Sequence, residues 1–187
     1  MRKIMVFENI SLDGLMAGPN GEIDWAVRDD EVTQLSRQGQ DATDLFMFGR
    51  VTYDMMASFW PTPAGEAANP TFAGILNDAT KIAFSRTLKA AGWQNTELLS
   101  ELNKDRILDL KARPGKGIMI FGSASIVDQL STLGLIDEFQ LILNPVILGR
   151  GKRLFGDAAG RLNLELADVR TFESGLIYLR YRPSRKA

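Results

Sequence analysis

Two segments of the chain pass from an apolar run through a glycine into residues that can begin a helix. They are residues 45–52, LFMFGRVT, and residues 118–125, IMIFGSAS. A glycine lets the backbone approach a ligand without a Cβ atom in the way, and the helix that follows offers unpaired N–H groups to an anion. One such turn is weak support for a site. Two together indicate a ligand with several phosphates, such as a dinucleotide.

The chain lacks two residue types that carry much of enzyme chemistry. It contains no Cys and no His. It therefore offers no thiolate nucleophile, no imidazole base and no thiolate or imidazole ligand for a metal. Acid–base chemistry must come from Asp, Glu, Lys, Tyr or water, and we predict no metal site.

Charge and length narrow the class of protein further. The 187 residues carry 22 basic and 23 acidic side chains, a formal net charge of −1. No strong overall field attracts a nucleic acid or a membrane surface. The first residues enter a strand-like run without the pattern of a secretory leader. We expect a single cytoplasmic domain over 1–187 that binds a small molecule and neither nucleic acid nor membrane.

The elements that hold the glycine turns alternate between strand and helix, which favours a layered α/β fold. Buried strands are predicted at 3–10, 44–48, 81–85 and 117–121, with a shorter one at 96–99. Helices are predicted at about 29–40, 52–58, 71–77, 102–111 and 124–130. Residues 11–25 are rich in turn-forming residues and are interpreted as an irregular loop, long enough to be a lid. Prolines 61, 63 and 70 mark a second loop.

The last part of the chain has a different pattern. Three strands are predicted near 136–146, 162–169 and 176–181, with no good helix between them. Strands without a helical crossover pair antiparallel, so this region predicts antiparallel additions to the sheet.

Familiar nucleotide-binding motifs fail when tested against the chain. Gly149-Arg150-Gly151 begins a G-x-G pattern, but Leu154 stands where the third glycine of the Rossmann fingerprint belongs. Neither Gly-Lys pair, at 115–116 or at 151–152, has the upstream glycine and downstream hydroxyl of a P-loop. A standard Rossmann or P-loop site is therefore disfavoured.

Five blocks in order along the chain carry a resemblance to one family. They are SLDG at 11–14, FGRVTY at 48–53, FSRT at 84–87, FGS at 121–123 and NPVILGRG at 144–151. With them the sequence resembles the RibD C-terminal family, the reductase domain of riboflavin-biosynthesis proteins. The resemblance implies a dihydrofolate reductase-like three-layer α/β/α fold. Its central, mostly parallel sheet would carry antiparallel C-terminal strands.

The resemblance implies an NADPH site at the two glycine turns. Gly49, Arg50 and Thr52 match the segment that meets the cofactor phosphates, where Arg50 would add a charge-assisted contact. The second turn matches the segment that approaches the pyrophosphate, with residues Gly122, Ser123, Ala124 and Ser125. A simpler interpretation remains open, in which both glycines only end strands and a serine only caps a helix.

Two further segments complete the implied cofactor site. Ser85, Arg86 and Thr87 match the segment that recognises the adenosine end. An arginine between two hydroxyl groups suits a 2′-phosphate, which predicts NADPH over NADH. Ala17 and Gly18, in the long loop, would lie near the nicotinamide. The alternative for Arg86 and Thr87 is an ordinary surface turn.

Asp13 and Asp30 are the candidate catalytic acids. Hydride transfer is the chemistry of the cofactor, so the protein must align the reactants and supply a proton. Asp13 lies in a block shared with the family, and its alternative role is an Asx-type turn with Gly14. Asp30 follows Trp25 by five residues, a spacing reminiscent of dihydrofolate reductase, but it is equally explained as a charge at a helix start.

Candidate substrate residues surround these acids. Asn9, Trp25 and Tyr53 could line a pocket for a planar ring, because aromatic faces stack on heterocycles. Gly149 and Gly151 could meet a substrate phosphate across the cleft. Core packing for the aromatic residues, and a loop at the sheet edge for the glycines, are the alternatives.

Three functions are consistent with the sequence. The first is an NADPH-dependent reductase of a pyrimidine or related heterocycle, with 5-amino-6-(5-phosphoribosylamino)uracil as the named candidate. The second is a dihydrofolate reductase, and the third is a non-catalytic nucleotide-binding module on the same fold. The late strands and the resemblance also predict a homodimer.

Overall fold

The computed structural model describes residues 1–156 and 160–184. Its strands are β1 Ile4–Ser11, β2 Leu15–Ala17, β3 Thr43–Gly49, β4 Thr80–Phe84, β5 Thr96–Leu99, β6 Gly117–Phe121, β7 Glu138–Asn144, β8 Lys152–Arg153, β9 Leu164–Thr171 and β10 Ile177–Pro183. Its helices are α1 Asp30–Asp41, α2 Arg50–Phe59, α3 Pro63–Ala68, α4 Pro70–Asp78, α5 Lys104–Ala112 and α6 Ala124–Thr132.

Eight strands form one sheet in the order β5-β4-β3-β6-β1-β7-β10-β9. The strands from β5 to β7 are mutually parallel. β10 pairs antiparallel with β7, and β9 pairs antiparallel with β10. The predicted combination of a mostly parallel sheet and antiparallel C-terminal strands is therefore confirmed.

The apolar central strands explain the three layers. Successive side chains of a strand point to opposite faces, so a strand buried on both sides contributes side chains to a core on each face of the sheet. In β6, Ile118 and Ile120 pack with α5 and α6 on one face, whereas Met119 packs with α1, α2 and α4 on the other. The sheet thus lies between two helical layers, as the family resemblance implies.

Four helices begin at a residue whose side chain accepts a backbone N–H of the first turn. These capping residues are Asp29, Thr62, Asn69 and Asn103. Such caps satisfy N–H groups that have no partner inside the helix. α2 and α6 differ, because neither has a side-chain cap.

Two elements depart from the sequence predictions. β2 is a short strand within the segment predicted to be an irregular loop, and it pairs with β8 about 135 positions further along the chain. α3 occupies part of the predicted proline loop, because Pro63 stands at a helix start where its missing N–H costs nothing and Thr62 provides the cap.

Two kinds of feature are absent from the described residues. In the part of the chain that the structure describes, no helix is both long and apolar enough to cross a bilayer. Over residues 1–156 and 160–184, no three Asp or Glu side chains gather in a way that would hold a metal ion.

Candidate active site

The carboxyl ends of four neighbouring parallel strands form one edge of the sheet. In spatial order these strands are β4, β3, β6 and β1. Ser85 follows β4, Gly49 ends β3, Gly122 follows β6, and Glu8 follows the last residue of β1 that pairs with β6. Ligands of open α/β sheets bind outside the carboxyl ends of strands, so we call this row of residues the carboxyl edge.

The two glycine turns lie side by side because β3 and β6 are neighbours. α2 begins directly after β3, and α6 begins three residues after β6 ends. The backbone N–H groups of Val51, Thr52, Ala124 and Ser125 find no acceptor among the described residues. These open donors and the positive ends of two helix dipoles face the same side, an arrangement suited to an anion.

Ser123 joins the two turns. Its Oγ accepts a hydrogen bond of 2.8 Å from the backbone N–H of Gly49, across the boundary between β3 and β6. The residue is buried and left-handed, with φ 62° and ψ 58°. The Ser123 hydroxyl therefore shapes the site, and the N–H of Gly49 already has its acceptor.

Gly122 requires the absence of a side chain. Its φ is +57°, and a Cβ atom there would lie 3.2 Å from both Cγ2 and Oγ1 of Thr52. Other residues rarely adopt this conformation, and the Thr52 contact leaves little room for one. The close approach of α2 to the second turn brings the predicted residues Gly49, Thr52, Gly122, Ser123 and Ser125 together.

Glu8 is a site residue that the sequence reasoning missed. Its Oε1 accepts the N–H of Asn9 at 3.0 Å, and its Oε2 is buried without a hydrogen-bond partner among the described residues. Burial raises the pKa of Glu8 to about 8, against smaller opposing effects from the N–H groups of Asn9 and Gly122. A single acid within the apolar run IMVF-E was the signal that could have revealed it.

The predicted adenosine segment lies beside Gly49 on the same edge. The Ser85 Oγ accepts the N–H groups of Thr87 at 3.1 Å and Leu88 at 3.0 Å, which makes it the organiser of the turn. Arg86 and Thr87 are exposed. Arg86 forms no ion pair within the described part of the chain, so its guanidinium group is available to an anion. Arg50 pairs with Asp54 one helical turn away, at 3.0 Å.

The chain just after the long loop is held against the end of β7 by a buried asparagine. The Asn144 Oδ1 accepts the N–H of Val27 at 2.9 Å, and its Nδ2 donates to Asn9 Oδ1 at 3.2 Å. Ala17 lies buried in β2. The chain turns after it, where the Gly18 N–H donates to the Glu22 carbonyl and the Gly18 carbonyl accepts the Gly21 N–H. The half-buried Trp25 donates its Nε1–H to the Glu22 carbonyl at 3.0 Å.

Asp13 has a different role from the one the sequence suggests. Its carboxylate accepts hydrogen bonds from the Ser11 hydroxyl at 2.6 Å and from the backbone N–H groups of Leu148 at 3.1 Å and Gly149 at 2.8 Å. These donors, the Ser11 hydroxyl first, lower the pKa of Asp13 to about 2. Asp13 therefore ties two loops together as a carboxylate, which argues against a role as proton donor. Asp30 is exposed at the first residue of α1.

Three predicted substrate residues have structural explanations. Tyr53 is 3% exposed, and its hydroxyl accepts the N–H of Trp93 at 3.1 Å, so its assignment to a substrate pocket is wrong. The N–H of Gly149 is bound to Asp13. A Cβ atom on Gly151 would lie 2.2 Å from the Ala17 carbonyl oxygen. Gly151 is thus required for the close approach of β8 to β2 rather than for a substrate phosphate.

A separate cavity of about 710 Å³ lies at the opposite edge, where the parallel strands begin. It is lined by Arg2, Glu138, Tyr178, Arg180 and other polar residues. None of the predicted cofactor residues lines it. We assign the candidate site to the carboxyl edge, because open N–H donors and a buried carboxyl group lie there, and the volume of a cavity alone indicates no chemistry.

Comparison with known sequences identifies the family. The sequence model of the RibD C-terminal domain matches residues 2–178. The chain is also 34% identical over 184 residues to the uncharacterized protein YyaP of Bacillus subtilis (strain 168), covering 96% of this chain and 94% of that protein. Both matches span nearly the whole fold, including the two glycine turns.

Solved structures show the same fold at low sequence identity. A putative riboflavin biosynthesis protein from Shewanella sp. PV-4 matches with a TM-score of 0.74 and 24% identity, over 98% of this chain and 99% of that one. A second match is a diaminohydroxyphosphoribosylaminopyrimidine deaminase/5-amino-6-(5-phosphoribosylamino)uracil reductase from Thermotoga maritima. Its TM-score is 0.68 and its sequence identity is 14%, over 98% of this chain and 57% of that one. Dihydrofolate reductase from Enterococcus faecalis, complexed with NADP(H), matches with a TM-score of 0.65 and 14% identity, over 97% of this chain and 96% of that one. The chain has the dihydrofolate reductase-like fold and belongs to the RibD C-terminal domain family.

Proposed function

We propose that this protein is an NADPH-dependent reductase of a small heterocyclic substrate. The observation that carries the proposal is the pair of adjacent helix starts, α2 and α6, that lack side-chain caps although the other four helices have them. Their open N–H groups would otherwise be satisfied only by water. Membership of the RibD C-terminal domain family supports a dinucleotide as the ligand.

The residues of the carboxyl edge fit such a cofactor. The N–H groups of Val51, Thr52, Ala124 and Ser125 would bind phosphate oxygens, and Gly122 would allow their close approach. When bound, the nicotinamide supplies a hydride. The chain's own residues would have to hold the ring, exclude water and supply a proton. The buried Ser123 keeps the two turns in register through its bond to Gly49.

Arg86 would select NADPH over NADH. It is exposed in the turn after β4, next to Gly49, with no ion-pair partner in the described residues. A guanidinium group binds a phosphate monoester through two parallel hydrogen bonds, and the 2′-phosphate is the group that distinguishes the two cofactors.

A pyrimidine or pterin-like ring is the proposed substrate, with 5-amino-6-(5-phosphoribosylamino)uracil as the first candidate. The reaction named for the Thermotoga maritima neighbour motivates this choice. Asn9 lies in β1 beyond the last residue that pairs with β6, and it is bonded to Asn144, which also holds the chain after the long loop at Val27. A substrate entering beside Asn9 would be covered by that loop, which would exclude water from hydride transfer.

The cofactor assignment is tested by titrating the protein with NADPH and with NADH while following nicotinamide fluorescence. We expect tighter binding of NADPH, and Arg86→Ala is expected to reduce that preference at least 10-fold. Lys89→Ala is the matched control, because it removes an exposed positive charge from the same loop. Binding of neither cofactor by folded protein would contradict the proposal.

The substrate is tested by the loss of NADPH absorbance when 5-amino-6-(5-phosphoribosylamino)uracil or dihydrofolate is added. Turnover of the first supports the proposed substrate, and turnover of the second would identify a dihydrofolate reductase. NADPH binding without turnover on either substrate would instead support a nucleotide-binding module.

We also propose that two copies pair through β9. This strand lies at the edge of the sheet, and its Leu166 and Val169 are 54% and 50% exposed. An edge strand offers unpaired backbone groups, so an exposed apolar one favours association. Light scattering should give a dimeric mass for the wild type and a monomeric mass for Val169→Lys. A monomeric wild type would contradict the pairing.

A further inference from the structure

Glu8 stands at the point where β1 and β6 separate. The two strands pair up to Phe7 and Phe121, and Glu8 and Gly122 are the next residues on each. The Glu8 Oε2 lies 3.7 Å from the position that a Cβ atom of Gly122 would occupy. It is buried and has no hydrogen-bond partner among the described residues. A buried polar atom without a partner is costly, so its presence beside the open donors of α6 requires an explanation.

No charged side chain of the described residues pairs with the buried Glu8 Oε2. β6, on one side of β1, carries no titratable residue, and Glu138, the one on β7, lies opposite Met5 at the far end of β1. On α2, Arg50 and Asp54 pair with each other. Charged groups on the remaining nearby elements are Asp128 of α6 and Lys152 and Arg153 of β8. None of these groups contributes to the pKa of Glu8, which is set by burial and by the N–H groups of Asn9 and Gly122.

We propose that Glu8 binds the ligand directly, its neutral carboxyl group donating a hydrogen bond from Oε2 to an oxygen of the phosphate seated on the Gly122 turn. This inference rests on the proposed function, because it takes the ligand to be a dinucleotide. It adds a ligand-binding residue and the uptake of a proton when the ligand binds.

Electrostatics favours the neutral form. An ionised Glu8, whose Oε2 is buried away from solvent, would repel a phosphate, whereas a protonated carboxyl supplies a hydrogen-bond donor to it. Burial raises the pKa of Glu8 to about 8, so in the free protein the group is mostly protonated at pH 7 and mostly ionised at pH 9. The affinity for the ligand should therefore fall as the pH rises through 8.

The first test measures the dissociation constant of NADPH from pH 7 to pH 9.5. This range avoids the second ionisation of the 2′-phosphate, which occurs near pH 6. We expect the wild type to weaken about 10-fold per pH unit above 8, for a total of roughly 30-fold. Glu8→Gln, whose amide donates the same hydrogen bond without ionising, should bind with little dependence on pH. Glu173→Gln, which removes an exposed carboxyl from the turn between β9 and β10, should behave as the wild type.

The second test measures proton uptake in the wild type, so it does not depend on the folding of a variant. Calorimetric titration at pH 8 in two buffers of different ionisation enthalpy should show about half a proton taken up per NADPH bound. ADP-ribose, which has the pyrophosphate but no nicotinamide, should show the same uptake.

The outcomes separate the two proposals. Tight NADPH binding without proton uptake, or with the same pH dependence in Glu8→Gln, would overturn the role of Glu8 and leave the reductase proposal standing. Proton uptake with NADPH but not with ADP-ribose would overturn the phosphate contact. Failure of the folded wild type to bind either ligand at any pH would overturn both proposals.

Discussion

The two edges of the sheet differ in how their charged side chains and helix starts are paired. At the amino edge, Arg2 pairs with Asp44, Lys111 pairs with Asp137, and Arg182 pairs with Glu138. These contacts join segments that lie far apart in the chain. At the carboxyl edge, the starts of α2 and α6 are left without side-chain caps, and the Glu8 Oε2 has no partner in the described residues.

This difference separates stability from function in one fold. The ion pairs of the amino edge connect distant segments, and the pair of Lys111 with Asp137 holds α5 to the residue before β7. The carboxyl edge retains unsatisfied donors and a buried acid, both of which cost stability unless a ligand binds. Substitutions at the amino edge should therefore lower the free energy of unfolding more than ligand affinity. Substitutions at the carboxyl edge that disturb the glycine turns should lower ligand affinity more than the free energy of unfolding.

The largest expected effect comes from Glu8→Gln. The pKa of Glu8 is about 8 in the folded protein and 4.5 as a model value, so the folded state binds more protons between these values. The contribution of Glu8 to the free energy of unfolding is fully present below pH 4.5. It is lost as the pH rises through 8, and the loss amounts to roughly 3 to 5 kcal/mol. Urea unfolding at pH 5, 7 and 8.5 should show this loss in the wild type, relative to Glu8→Gln. Parallel profiles for the two proteins would contradict it.

Gly122→Ala should damage binding more than folding. Its φ of +57° and the 3.2 Å approach to Thr52 predict a loss of about 1 kcal/mol in stability. Displacement of the turn should weaken NADPH binding about 100-fold, which corresponds to about 2.7 kcal/mol. The matched control is Gly134→Ala, which has a φ of +66° with open space around it at the opposite end of α6. Equal loss of NADPH affinity in both variants would remove the special role of Gly122.

Lys111→Met should damage folding without affecting binding. The Lys111 ammonium group is nearly buried, pairs with Asp137 and donates to the Leu135 carbonyl at 3.0 Å. Removing it leaves the Leu135 carbonyl without this donor and Asp137 without its ion pair, at an expected cost of about 2 kcal/mol in the free energy of unfolding. Chemical denaturation measures this cost, and an NADPH titration of the folded variant should match the wild type. A changed NADPH affinity would show that the two edges are coupled.

Asp13→Asn should have the smallest effect. The pKa of Asp13 is lowered to about 2, so its contribution to stability is present above pH 3.8 and is lost as the pH falls towards 2. At pH 7 the weaker acceptor should speed hydrogen exchange at the amides of Leu148 and Gly149, while NADPH affinity stays unchanged. If Asp13 were instead the proton donor, its replacement would abolish turnover at every pH.

Local pattern was sufficient for most of the elements. The apolar run of β6, the glycine turns and the helices after them were predictable because strand burial, helix starts and turns depend on residues within a few positions of one another. β2 was missed because three residues form a strand only when β8, distant in sequence, lies beside them. α3 was missed because the prolines of its sequence were interpreted as a loop.

The candidate site was only partly predictable for the same reason. Gly49, Thr52, Gly122 and Ser123 were identified from their turns, but the bond between Ser123 and Gly49 depends on β3 lying next to β6. Tyr53 was misassigned because the sequence around an aromatic residue near a turn does not distinguish a core position from a pocket position. Asp13 and Glu8 are both carboxyl groups near the end of β1, yet their pKa values of about 2 and about 8 follow from their surroundings.

The sequence by itself determined that this chain is an α/β protein with two glycine turns, without Cys or His, and with the motifs of the RibD C-terminal family. These features are properties of residue type and short spacing. Only the tertiary structure decided the order of the strands and therefore which turns meet. It also decided which acid is ionised and which is buried in neutral form, because hydrogen bonding and burial depend on segments brought together from distant parts of the chain.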